Sequence, residues 1–153
     1  MPEKPLFESL IAEVKKLLAS SLEPVKLLAE VCWLLKERVP YYDWVGFYLA
    51  GGERELVLGP YEGDPTEHVH IGFGRGICGQ AAEKGETFLV QDVSAEENYL
   101  SCSPLVKAEI VVPIFKDGAI VGELDIDSHE LAPFSPEDRA FLEELCRMLA
   151  VIF

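Results

Sequence analysis

The residue with the greatest chemical potential in this chain is Cys102, in the polar stretch Asn98-Tyr-Leu-Ser-Cys-Ser-Pro104. A free cysteine is most often a small buried hydrophobe, but Ser101, Ser103 and Pro104 describe a loop rather than a core position. A solvent-reachable thiol near hydrogen-bond donors can act as a nucleophile. Carboxylates follow it: Glu109 before the apolar run Ile110-Val-Val-Pro-Ile114, then Glu123, Asp125 and Asp127 in Gly-Glu-Leu-Asp-Ile-Asp-Ser. Alternation with Leu124 and Ile126 puts these last three acids on one face of a strand. Such a row is either a solvated face, or a site that holds an ammonium group or keeps one acid protonated as a proton donor. Together, thiol and acids suggest redox chemistry on a small polar molecule. If Cys78 can reach Cys102, the two could cycle between dithiol and disulfide.

Cys78 follows the Gly-rich stretch Gly72-Phe-Gly-Arg-Gly76 and opens a short predicted helix, where the helix N-terminus would favour a thiolate. Taken alone, without a partner, it reads rather as a small residue filling a tight space under Gly76 and Gly79. The Gly-rich stretch matches neither a phosphate loop nor a dinucleotide fingerprint, although its N–H groups could help to hold a sulfoxide or carboxylate oxygen. Trp44 and Tyr48 share a strand face, where Gly46 between them should leave room, and could wall a pocket for a methyl-sulfur group. His68 and His70 flank Val69, without a cysteine or carboxylate at fixed ligand spacing. The expectation is therefore no metal; a site built from His68, Cys78 and Cys102 is the weaker alternative. Cys32 and Cys146 lie in helical patterns and read as packing residues.

The elements that must position these residues are legible from periodicity. Leu6, Leu10, Val14, Leu17 and Leu18 mark an amphipathic helix. Leu27, Leu28, Val31, Leu34 and Leu35 mark a second, opened by Pro24 and ended by Pro40. Strands are expected at 43–50, 55–59, 68–71, 88–90, 110–115 and 119–127, with a helix at 77–84 stopped by Gly85 and a hairpin turn at Lys116-Asp117-Gly118. Residues 92–106 read as a loop. Ser135, Pro136, Glu137 and Asp138 write the start of a last helix. This is an α+β domain: a central antiparallel sheet of about six strands with N- and C-terminal helices packed on it. The whole chain, 1–153, is read as a single domain.

Composition narrows the partners. A formal net charge of −14 repels nucleic-acid backbones and anionic membranes. No apolar run has the length of a membrane span, and the N-terminus lacks the pattern of a secretory signal, so the expected location is cytoplasmic. There a disulfide is more often transient and catalytic than structural.

Several motifs in order resemble the GAF-domain free methionine-(R)-sulfoxide reductases: Val45-Gly-Phe-Tyr-Leu49, Leu56-Val-Leu-Gly-Pro60, Gly74-Arg-Gly-Ile-Cys-Gly79, Glu109-Ile-Val-Val-Pro113, Gly122-Glu-Leu-Asp-Ile-Asp-Ser128 and Phe134-Ser-Pro-Glu-Asp138. The resemblance implies a GAF-like fold, the R epimer of free methionine sulfoxide as substrate, and no cofactor. It implies Cys102 as nucleophile, Glu109, Asp125 and Asp127 as substrate-holding acids, and Trp44 and Tyr48 as pocket aromatics. Cys102 would pass through a sulfenic acid to a disulfide with Cys78, reopened by a thioredoxin-type reductant. His68 stands where many members carry a resolving cysteine, which leaves recycling to Cys78 or to an external thiol. A homodimer through the terminal helices is compatible with this fold. The rival expectation is a non-catalytic GAF module sensing a small molecule or a redox signal; because such a module usually adjoins an output domain, a chain stopping at Phe153 counts against it.

Overall fold

The computed structural model describes residues 3–100 and 103–153. Its helices are α1 (Glu3–Leu18), α2 (Pro24–Arg38), α3 (Gly76–Lys84) and α4 (Pro136–Leu149). Its strands are β1 (Trp44–Gly51), β2 (Glu55–Glu62), β3 (His70–Gly72), β4 (Phe88–Val90), β5 (Ala108–Lys116) and β6 (Ala119–Ser128). The strands form one antiparallel sheet in the order β3-β2-β1-β6-β5-β4.

Period-two alternation gives the sheet two different faces. Val45 and Phe47 of β1, Ile110, Val112 and Ile114 of β5, and Leu124 and Ile126 of β6 point to one side. There they join the apolar stripes of α1, α2 and α4 in the larger core, which also takes in Cys32 and Cys146. Both of these cysteines are fully enclosed, and burial pushes both thiols up, as suits packing residues. The other face carries Trp44, Tyr48, Val111 and the acids, and α3 covers it with Ile77, Cys78, Ala81 and Ala82.

Local signals set the ends of the elements. Ser135 Oγ accepts from the Asp138 N–H at 3.2 Å while Asp138 Oδ2 accepts from the Ser135 N–H at 2.8 Å, a reciprocal cap on α4. Asp138 also accepts from Tyr42 Oη at 2.6 Å and Tyr41 Oη at 2.8 Å, which ties the cap to the segment entering β1. Asp117 and Gly118 both take positive φ, at 54° and 79°, as a tight β5–β6 turn requires. Gly85 closes α3 in the left-handed conformation.

Strand bounds shift from expectation by up to three residues, with β5 opening at Ala108 rather than at Ile110. β2 runs on through Pro60 to Glu62, because a register shift between Gly46 and Tyr48 lets it keep pairing with β1. β3 begins at His70 rather than His68, where its pairing with β2 starts. No helix among the described residues is long and apolar enough to cross a membrane.

A candidate thiol and carboxylate site

The site is a set of rows running across the sheet. Trp44 of β1 pairs with Asp127 of β6, which pairs with Glu109 of β5. One row along, Gly46 pairs with Asp125 and Asp125 with Val111; one further, Tyr48 pairs with Glu123 and Glu123 with Pro113. The sequence thus places four acids on the face that α3 covers.

That cover overturns the solvated-face reading. Glu109 is 6%, Asp125 3%, Asp127 3% and Glu123 0% exposed. Burial, with the like charge of Asp125 second, pushes Glu123 and Asp127 well above the usual carboxylate range. Burial raises Asp125 as well, against hydrogen bonding with Glu109 and Cys78 that favours its charged form. Both carboxylate oxygens of Glu123, and Oδ1 of Asp125, are buried without a hydrogen-bond partner.

Cys78 reaches this cluster from α3. Its Sγ and one carboxylate oxygen each of Glu109 and Asp125 lie within 4.8 Å of one another, with Glu109 Oε2 at 4.0 Å from the sulfur. Burial first, then the charges of Asp125, Glu109 and Glu123, push the thiol well above its ordinary value. The helix N-terminus therefore does not leave Cys78 a ready thiolate; desolvation and three neighbouring acids outweigh a partial positive charge.

The Gly-rich bend is a structural clamp. The Gly74 N–H donates to Gly79 O at 2.7 Å, that of Arg75 to Gly72 O at 3.1 Å, and that of Gly76 to Asn98 Oδ1 at 2.8 Å. These three donors are therefore engaged, contrary to the expectation that the bend offers them to a ligand oxygen. Asn98 also donates through Nδ2 to Gly74 O at 2.7 Å, and its own carbonyl accepts from Gln80 Nε2 at 2.9 Å. Sequence reasoning passed over Asn98. The available signal was a side chain able to donate and accept at once, in a loop long enough to return to a glycine-rich bend.

Trp44 and Tyr48 share the acid-bearing face as expected. The space over Gly46 is filled, however: a Cβ there would fall 2.4 Å from the Trp44 ring and 2.8 Å from Tyr61. Trp44 stacks on Tyr61 with centroids 5.4 Å apart and donates through Nε1 to Asp64 O at 2.9 Å. Tyr48 Oη donates to His68 O at 2.8 Å, which fixes the backbone there. His70 instead faces Glu55, with both side chains largely exposed.

Two small depressions open on this face. Cys78, Glu109 and Asp125 line one, together with His68, Arg75 and Leu100. Asp127 and Trp44 line the other, with Asp64, Ser103 and His129. Cys78, Glu109 and Asp125 thus line one depression and Asp127 and Trp44 the other, with Asp127 linked to the first set through its hydrogen bonding with Glu109. Cys102 lies outside the described residues, as does the pairing expected of it with Cys78. Its sequence neighbours Leu100 and Ser103 line one depression each. Among the described residues, the group suited to a metal is Cys78, Glu109 and Asp125; the alternative set of His68, Cys78 and Cys102 includes a residue outside them.

A six-stranded antiparallel sheet with helices on both sides, one of its faces acidic and covered by α3, defines an α+β domain. A model of the GAF domain matches residues 23–153. The chain belongs to the GAF domain family, in the group that holds the free methionine-R-sulfoxide reductases. It is 33% identical over 149 residues to the free methionine-R-sulfoxide reductase of Escherichia coli, covering 97% of this chain and 89% of that one. It is 39% identical over 143 residues to GAF domain-containing protein A of Dictyostelium discoideum, covering 94% and 89%. The free methionine-R-sulfoxide reductase of Neisseria meningitidis, solved in complex with its substrate, superposes with a TM-score of 0.91 at 40% identity, covering 96% of this chain and 87% of that one.

Proposed function

We propose that this protein reduces free methionine-(R)-sulfoxide to methionine. The observation that carries the reading is the convergence of a thiol and buried carboxylates beside the segment that bears Cys102. The solved relative with its substrate adds the identity of the small molecule.

Glu109, Asp125 and Asp127 hold the substrate ammonium, and its positive charge offsets a cluster that is otherwise costly to bury. A peptide-bound methionine sulfoxide has no such ammonium, so selectivity for the free amino acid follows. Trp44 and Tyr48 wall the methyl-sulfur end. The Cys102 thiolate attacks the sulfoxide sulfur while a protonated acid of the cluster, held neutral by burial, gives its proton to the departing oxygen. Oxygen passes to Cys102 as a sulfenic acid and methionine leaves. Cys78 then attacks that sulfenic acid to form the Cys78–Cys102 disulfide, its thiol proton passing by way of Glu109 or Asp125 to the departing hydroxide, which leaves as water. A thioredoxin-type dithiol exchanges with the disulfide and is itself oxidised. The net reaction converts sulfoxide and dithiol to methionine, disulfide and water.

The test is methionine release from the free R sulfoxide with a thioredoxin system. Wild-type protein turns over and Cys102→Ser does not. Unchanged turnover in Cys102→Ser overturns the mechanism; tight sulfoxide binding by the wild type without turnover returns the protein to the class of binding modules.

A further inference from the structure

We infer that Cys78, Glu109 and Asp125 also form a binding site for a divalent d10 cation, of which Zn²⁺ is the biological example and Cd²⁺ the softer probe. The inference rests on the geometry of the cluster; only its competition arm rests on the proposed reductase reading.

One thiol and two carboxylates from three elements, α3, β5 and β6, converge with their ligand atoms within 4.8 Å. A tetrahedral zinc with Zn–S of about 2.3 Å and Zn–O of about 2.0 Å sets sulfur and oxygen about 3.5 Å apart. The Cys78 Sγ to Glu109 Oε2 separation is 4.0 Å, so closure there needs only about half an ångström of movement. Two of the ligands stand on paired central strands and the third on a helix packed against them, so the donor set is held by rigid elements.

A second observation is independent of this convergence. Asp125 is 97% enclosed (3% exposed), lines the depression with Cys78, and has Oδ1 without a hydrogen-bond partner. Glu123, on the same face one pleat along, has neither oxygen partnered. A buried acceptor in that condition lacks its usual compensation, and a cation bound by Asp125 supplies it. Thiolate with carboxylate suits Zn²⁺ and Cd²⁺ better than Mg²⁺ or Ca²⁺, which prefer all-oxygen shells. Three protein ligands leave a fourth position open toward the depression, on the side lined by His68.

A cation there occupies the space of the substrate ammonium, so zinc would act as a competitive inhibitor. The experiment uses the full chain, reduced and stripped of metal, titrated with Zn²⁺ by calorimetry and with Cd²⁺ by thiolate-to-metal absorbance in the ultraviolet. One equivalent should bind, with affinity reduced about 100-fold in Cys78→Ser and in Glu109→Gln, and unchanged in Cys102→Ser. Circular dichroism establishes that each variant is folded. Absence of binding by wild-type protein overturns the inference, as does affinity unaltered in folded Cys78→Ser or abolished in Cys102→Ser. Added free methionine sulfoxide should weaken zinc binding at least tenfold. Zinc binding without sulfoxide turnover would count against the reductase reading alone, and turnover without zinc binding against this inference alone.

Discussion

Glu109 lies directly opposite Asp127 across the β5–β6 ladder, two acids paired on the buried face of the sheet. Like charges in that relation repel, and a buried pair needs a shared proton or a cation between them. If the pair holds the substrate ammonium, Asp127→Asn loses one charge-assisted contact worth about 1.5–3 kcal/mol, which is about 10- to 100-fold in affinity. KM for free methionine sulfoxide should rise by that factor with kcat changed far less. Steady-state kinetics decide it, and an unaltered KM removes Asp127 from the substrate site.

Glu123 carries a pH signature. Burial holds its folded-state carboxyl well above the usual range. Below about pH 4 both folded and unfolded chains keep the proton and the penalty is absent. As pH rises, the unfolded chain releases a proton that the folded chain retains, so stability falls by up to about 1.4 kcal/mol per pH unit for this group until the folded carboxyl itself ionises. Glu123→Met, which keeps the length and removes the charge, should therefore be more stable than wild type by about 1–4 kcal/mol at pH 8, with the advantage shrinking toward pH 4. Urea unfolding at several pH values measures both. A variant less stable than wild type at pH 8 refutes the account.

Asn98 is a positioning residue. Its side chain bridges Gly74 O and the Gly76 N–H, and Leu100 packs close over Gly76. Asn98→Ala leaves both backbone groups without this partner, at a cost of about 1–3 kcal/mol. Because the segment continues directly to Cys102, kcat should fall at least tenfold while KM shifts little; a purely structural role would lower stability and leave kcat intact.

Gly79 admits no larger residue. A Cβ there would sit 2.6 Å from Gly72 O and 3.0 Å from Gly74 N, both backbone atoms that cannot rotate away. Gly79→Ala should destabilise the protein by about 1–3 kcal/mol, read from the denaturation midpoint, and should lower activity through the displaced Cys78 one residue away.

Sequence patterns close in the chain were the legible ones. The α4 cap, the Lys116-Asp117-Gly118 turn and the Gly85 stop each depend on a few neighbouring residues, and each appears where the residue types place it. Alternation likewise put Glu123, Asp125 and Asp127 on one face. Their burial was not legible, because it comes from α3, some forty residues earlier and joined to them only through the fold. The space beside Gly46 was misjudged for the same reason: Tyr61 enters it from a β2 strand longer than local composition indicates. The state of Cys78 followed its neighbours across the sheet and not its place on the helix.

The partnerless oxygens of Asp125 and Glu123 also bear on how long the protein lasts. A ligand carrying a positive charge to this face binds the folded chain and has nothing comparable to bind in the unfolded one. At a hundred times its dissociation constant it would add about 2.7 kcal/mol to stability. Degradation that proceeds through opened chains slows by the same factor, about a hundredfold. Abundance would then track ligand supply at constant synthesis, accumulating when the ligand is plentiful and clearing when it is spent.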